Sequence, residues 1–251
     1  MKLKRLLIFL LIILVLALLS IFWPQFTGKA IDNNSNNYQK ESAFVIRVVD
    51  GDTIHVNING EDETIRLLGV NTPEKKKPYY QEAKDFLINE IENKSIELLR
   101  DKENIDKYER KLRYVFYNER LIDVEILEKG LATSFMLLDL KYKDKLINAE
   151  KFAQQNEIGL WEKSSDECAG CIKLDELNAS EEFFIIKNIC DFDCDLDKWE
   201  VKDDANHFFF LNDLEAGEEK EYDSKIKIWN DEGDRFFMRD EDGKLVVFWE
   251  Y

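Results

Sequence analysis

Arg66 stands between Ile65 and Leu67 in an apolar run that continues through Leu68 and Val70. A fixed cation in such a run is costly unless an anion meets it. Upstream lies Asp50-Gly51-Asp52-Thr53, and downstream lies Asp106-Lys107-Tyr108-Glu109-Arg110. Together these segments hold carboxylates, two guanidinium groups and a candidate metal site. That is equipment for cleaving a phosphodiester, which needs activated water, neutralised charge on the phosphorane and help for the leaving oxygen. A hard cation such as calcium prefers oxygen ligands. Asp52 can offer a carboxylate, Asn71 an amide oxygen and Thr72 a main-chain carbonyl. Glu74, held just beyond them by Pro73, is placed to act as base toward a metal-associated water. Arg66 and Arg110 can grip phosphate oxygens with a fork that lysine lacks.

Each piece alone has a plainer reading. Asp-Gly-Asp-Thr is a common hairpin turn, and Thr-Pro-Glu suits a helix start. What raises them above that is the set of elements that would carry them. Residues 44–49, 53–58 and 63–68 read as strands, with Asp50-Gly51 and Asn59-Gly60 as turns between them. Residues 81–92 read as a helix from the spacing of Ala83, Phe86, Leu87 and Ile91. Residues 95–99 and 111–117 read as strands. Residues 121–129 read as a helix closed by Gly130, and residues 143–155 as another helix. Five strands with a few helices predict a small barrel packed by helices.

The order of these motifs resembles the thermonuclease family, with its staphylococcal-nuclease-like fold, over roughly residues 42–163. The resemblance rests on Val49-Asp50-Gly51-Asp52-Thr53, on the run from Arg66 to Glu74 and on Asp106 to Arg110. Glu128-Lys129-Gly130-Leu131-Ala132 and Gly159-Leu160-Trp161 support it. It implies a five-stranded OB-type barrel with three helices. It also implies calcium-dependent hydrolysis of DNA and RNA, with Ca2+ or another divalent cation as cofactor. By motif position it implies Arg66, Glu74 and Arg110 as catalytic residues. Asp52, Asn71 and the Thr72 carbonyl would form the metal site, with Lys107 and Tyr108 as substrate contacts. Three positions depart from the family pattern. Asn71 replaces an aspartate, which should weaken cation binding. Glu109 replaces a glycine and sets an acid beside the phosphate site. Phe135 or Met136 falls where a tyrosine is frequent.

Net charge is −17, and its distribution matters more than its sum. Residues 168–251 carry 24 acids against 10 Lys and Arg, so the excess lies mainly in the last third. A local basic cluster is still available in Lys75, Lys76 and Lys77, then Lys107, Arg110, Lys111 and Arg113. At the other end, residues 6–23 form an apolar run with only Ser20 polar, preceded by Lys2, Lys4 and Arg5. That length can span a bilayer as a helix, with the N-terminus cytoplasmic. The expectation is an uncleaved N-terminal membrane anchor (residues 1–26) that leaves the rest of the chain outside the cell. Secretion after signal cleavage is the alternative. Residues 27–41 read as a polar tether.

Near residue 165 the texture changes to short apolar and aromatic strands separated by Asp, Asn and Gly turns, at 183–187, 208–211, 225–228, 235–239 and 245–249. This predicts a β-sandwich over residues 168–251, following a nuclease-like domain over 42–165. Cys168, Cys171, Cys190 and Cys194 read as structural. They would form two disulfides with three available pairings, or a four-thiolate zinc site. The segment from Cys171 to Tyr251 resembles a lamin-tail domain, an immunoglobulin-like sandwich. The match rests on residues 183–188, 196–203 and 229–234. The composite expectation is an α+β barrel followed by an all-β sandwich, preceded by a transmembrane helix. It would act on nucleic acid from the outer face of a membrane, with an unidentified partner for the sandwich. The rival expectation is a nuclease-like module that binds nucleic acid or protein without cutting.

Overall fold

Three strands with apolar residues on one face begin the barrel. They are β1 (Glu41–Val48), β2 (Thr53–Ile58) and β3 (Glu61–Leu67). Ile54, Val56 and Ile58 alternate inward along β2, the period a half-buried strand requires. The computed structural model describes residues 39–135 and 139–251. The expected membrane helix and most of the tether lie outside them. Among the described residues no helix is long and apolar enough to cross a membrane.

After the short strand β4 (Val70–Asn71) comes helix α1 (Tyr80–Ile91), which buries Ala83, Leu87 and Ile91. Strands β5 (Ser95–Leu99) and β6 (Lys111–Tyr117) follow. The sheet runs β3-β2-β1-β5-β6, and β3 also pairs with β6 in parallel, so five strands close on themselves. This closed five-stranded barrel with three helices is the OB-type arrangement expected from the sequence. The short strand β7 (Arg120–Leu121) extends β6, and helix α2 (Ile122–Glu128) packs beneath. Asp123 on α2 is wholly buried and accepts from the backbone N–H groups of Leu68 (3.1 Å) and Val115 (2.9 Å). It therefore fixes the point where the chain leaves β3 for the Asn71–Glu74 segment. Strand β8 (Thr133–Ser134) pairs with β4, and helix α3 (Lys143–Gln155) completes this part.

The last third forms two antiparallel sheets around a shared apolar core. Strands β9 (Ile172–Asn178), β10 (Phe183–Asn188) and β13 (Glu219–Asp223) form one sheet. Strands β11 (Glu200–Lys202), β12 (Phe208–Phe210), β14 (Arg235–Arg239) and β15 (Leu245–Glu250) form the other. Phe184, Trp199, Trp229 and Phe236 fill the space between them. Residues 225–228, expected as a strand, are not one. Ile226 is exposed, and the N–H groups of Ile228 and Trp229 donate to the Glu182 carboxylate instead of a ladder. The strand that pairs with β10 on that side is β13, an edge strand whose charged sequence conceals it. The cysteines are joined as Cys168–Cys194 and Cys171–Cys190.

The two parts, expected as separate domains, share a core. Trp161 and Ala153 of the first pack with Phe237 and Leu245 of the second. The main chain continues the contact, with Leu245 N–H donating to Glu162 O (2.8 Å) and Ser164 N–H to Leu245 O (3.0 Å). Residues 38–251 accordingly make one compact unit.

Candidate active site

The β2–β3 register sets Thr53 directly opposite Arg66. Asp52, one residue earlier, thus meets the Arg66 guanidinium at 3.0 Å. The anion that the apolar strand required is this carboxylate, supplied from within the chain. Asp52 also accepts from the Thr53 hydroxyl (2.9 Å) and from the Thr72 N–H (3.3 Å). Arg110 enters from the loop before β6. Its Nη1 donates to the Thr53 hydroxyl (3.2 Å), while its Nε donates to Asp106 (2.7 Å). Both guanidinium groups therefore reach the same Asp52–Thr53 corner, although 44 positions separate them in the sequence.

Gly51 makes that corner tight. A Cβ there would stand 2.7 Å from the Ala83 Cβ and 2.9 Å from the Thr72 hydroxyl. Only glycine lets the Asp50–Asp52 turn press against both α1 and the Thr72 segment. The consequence is electrostatic. Burial, then the neighbouring Asp52 charge, pushes the Asp50 carboxyl up to about 6. Two carboxylates crowded at a half-buried turn form an oxygen-rich, negatively charged corner that a hard divalent cation relieves. Asp50 is a candidate ligand beside Asp52 and Thr72. The sequence motif contained it, but a carboxylate facing another across a glycine turn reads equally as hairpin chemistry.

Asp106 organises the second arginine. Burial pushes its carboxyl up, but bonds from the backbone and side chain of Arg110 and from the Tyr108 N–H hold it below its ordinary value. Tyr108 projects into solvent at 67% exposure, with the Lys107 ammonium 5.0 Å and the Arg110 guanidinium 5.4 Å from its ring centre. Lys107, Tyr108 and Arg110 thus border one open face. Glu109 adopts φ 65°, a left-handed conformation that favours glycine.

The Asn71–Glu74 segment faces somewhere the sequence did not indicate. Asn71 Nδ2 donates to the Asp204 carbonyl (3.0 Å), and Asn206 Nδ2 donates to Asn71 Oδ1 (3.4 Å) and to Glu74 Oε1 (3.3 Å). The loop between β11 and β12 of the second sheet pair therefore rests on the candidate base. Asn71 serves this contact with both ends of its amide, so its expected ligand role is shared with docking. Lys77 is likewise drawn away from the expected basic cluster. It pairs with Glu200 and lies over the Phe208 ring at 3.9 Å. Lys75 and Lys76 remain exposed. Below this contact, buried Arg235 reaches Glu150 on α3 (2.9 Å) and Asp204 (2.6 Å). Phe135 donates its N–H to Gly69 O (3.1 Å), and Met136 lies outside the described residues.

Sequence comparison bears on the same segments. Residues 64–163 match the family model described as staphylococcal nuclease homologue. The thermonuclease of Staphylococcus intermedius is 34% identical over 160 residues, spanning 61% of this chain and 95% of that protein. Endonuclease YncB of Bacillus subtilis is 32% identical, over 57% of this chain and 72% of its own length. An uncharacterised protein of Methanocaldococcus jannaschii is 35% identical, over 54% and 77%. The family match begins within β3 and ends at residue 163, so it takes in Arg66, Glu74 and Arg110 and stops before the sheet pair whose Asn206 reaches Glu74. With a closed five-stranded barrel, both arginines at one carboxylate corner and a thermonuclease matched over nearly its whole length, this chain belongs to the family of staphylococcal nuclease homologues.

Proposed function

We propose that the chain is a divalent-metal-dependent nuclease that hydrolyses phosphodiester bonds of DNA and RNA. The observation that carries this reading is the meeting of Arg66 and Arg110 at the Asp52–Thr53 corner. The relatives named thermonuclease and endonuclease support it. The donor set is all oxygen and includes two crowded carboxylates, which suits calcium better than a softer metal. Asp50, Asp52 and the Thr72 carbonyl would hold the ion, which when bound supplies charge neutralisation at the phosphate. Arg66 exchanges part of its contact with Asp52 for a phosphate oxygen, and Arg110 does the same from Asp106. Their planar forks fix the phosphate against the corner. Glu74, exposed and steadied by Asn206, accepts the proton of the attacking water. Lys107 and Tyr108 guide the adjoining strand. Plasmid digestion in calcium and then in chelator tests the reading. Glu74→Gln and Arg66→Ala should each lower kcat by about 10²–10⁴. Cleavage undiminished in either variant would refute it.

We further read residues 6–23 as a membrane anchor with the remaining chain outside the cell. The apolar run supports this, as do the two disulfides, which suit an oxidising compartment. Residues 171–251 are read as a lamin-tail-like sandwich, supported by seven strands in two sheets around Trp199. One observation favours a second reading, a module that binds without cutting. Asn206 Nδ2 already donates to one oxygen of the Glu74 carboxylate. DNA binding without cleavage across several divalent metals would decide for it.

A further inference from the structure

The seam between barrel and sheet pair holds two buried cations whose polar hydrogens are incompletely matched. Lys202 on β11 and Arg239 on β14 are 9% and 4% exposed. The Lys202 ammonium donates only to the Asp203 carbonyl (3.0 Å) and the Asn206 side-chain oxygen (3.1 Å). Arg239 Nη1 donates to the carbonyls of Leu160 and Gly243, while its Nε and Nη2 are buried with no acceptor. Among the described residues neither side chain has a carboxylate ion partner. The residue paired opposite Arg239 is Glu200, but its carboxylate is committed to Lys77. Lys202 and Arg239 also face the same Phe237 ring, at 4.5 and 5.7 Å. Burial, then the Arg239 charge, pushes Lys202 down to about 8, and burial pushes Arg239 down to about 10.

These groups line one cavity of about 30 Å³, together with Thr72 and Asn206. That is room for a water pair or one compact ion. Its charged wall holds Lys77, Lys202 and Arg239 against Glu200 alone. Unpaired guanidinium N–H groups inside a protein are rare and costly, and like charges sharing a dry site are costlier. We propose that this interdomain cavity is a binding site for a compact inorganic anion, phosphate or halide, held by Arg239 and Lys202. The anion satisfies the free guanidinium edge, separates the two cations electrostatically and ties the sheet pair to the Thr72 segment. The cations that hold this anion lie on β14 and β11 and not on the barrel, while the cavity shares the Asn71–Thr72 segment and Asn206 with the phosphodiester site.

The test uses the full chain without divalent cations, melted in sodium phosphate, sodium bromide and sodium gluconate at matched ionic strength. Gluconate is too bulky for the cavity and reports screening alone. Phosphate or bromide should raise Tm by about 2–4 °C over gluconate per tenfold excess above Kd. A response to phosphate alone assigns the site to oxyanions, and a response to both assigns it to charge and size. Arg239→Met should abolish the difference between anions. Glu200→Gln, which removes the only acidic wall, should tighten binding several-fold and covers the case in which Arg239→Met fails to fold. Crystals grown in each salt should show the anion within hydrogen-bond reach of Arg239 Nη2. Equal melting in all three salts, an undiminished response in Arg239→Met, or only water in the cavity in both salts would overturn the proposal.

Discussion

Asp50 and Asp52 flank a glycine that cannot be replaced, and their crowding sets a titration that should be visible in metal binding. The Asp50 carboxyl ordinarily titrates near 3.8 and is raised to about 6. A raised carboxylate binds protons more tightly folded than unfolded, so it lowers stability as pH rises from about 4 to 6. A bound divalent cation reverses that cost and competes with the proton. Calcium affinity, measured by calorimetry, should fall steeply below about pH 6, and Asp50→Asn should flatten that dependence. Glu109 invites a second measurement. It holds φ 65° and adds an acid beside the open Tyr108 face. Glu109→Gly should stabilise the chain by about 1 kcal/mol and lower KM for DNA most at low salt. An unchanged melting curve would contradict the backbone argument.

At the scale of elements, the loop between β11 and β12 behaves as part of the active site. Asn206 touches Asn71, Glu74 and Lys202 at once. As a positioning residue it acts through the base, so Asn206→Ala should lower kcat about tenfold with little change in KM. Loss in KM alone would mark Asn206 as a substrate contact instead. Asn71→Asp should separate two roles. A carboxylate would face the Asp204 carbonyl that now accepts from the amide, and chain stability should drop by about 1–3 kcal/mol. Metal affinity should rise in the same variant, because ligand charge increases. Melting and calcium titration on one preparation check both signs.

For the molecule as a whole, barrel and sheet pair unfold together if the shared contacts have the weight their burial implies. Trp161 is 1% exposed, and its partners Phe237 and Phe248 belong to the other part. The disulfides lie in the sheet pair and close separations of 26 and 19 residues. Reducing both should cost on the order of 3 kcal/mol each by loop entropy. With a common core, reduction should also lower the melting temperature seen by a probe confined to the barrel, such as hydrogen exchange of the β2 amides. A barrel transition indifferent to reductant would show that the two parts melt independently.

Much of the barrel was legible because its signals are local. Alternating apolar residues, Asp-Gly and Asn-Gly turns, and the helix of residues 143–155 depend on neighbours a few positions away. The charged strand β13 and the irregular 225–228 segment were misread for the converse reason, since edge position and the Glu182 carboxylate decide them. The arginine and carboxylate types needed at the phosphate were also written in the sequence, since only certain side chains can bear that chemistry. That Asn71 and Lys77 turn toward a second sheet pair depended on residues more than a hundred positions away. Such long-range contacts carry no periodicity and no spacing, because they are fixed by how two cores share Trp161 and Phe237. Local pattern thus determined the elements and the chemistry they can carry. Tertiary packing alone decided what each functional side chain touches.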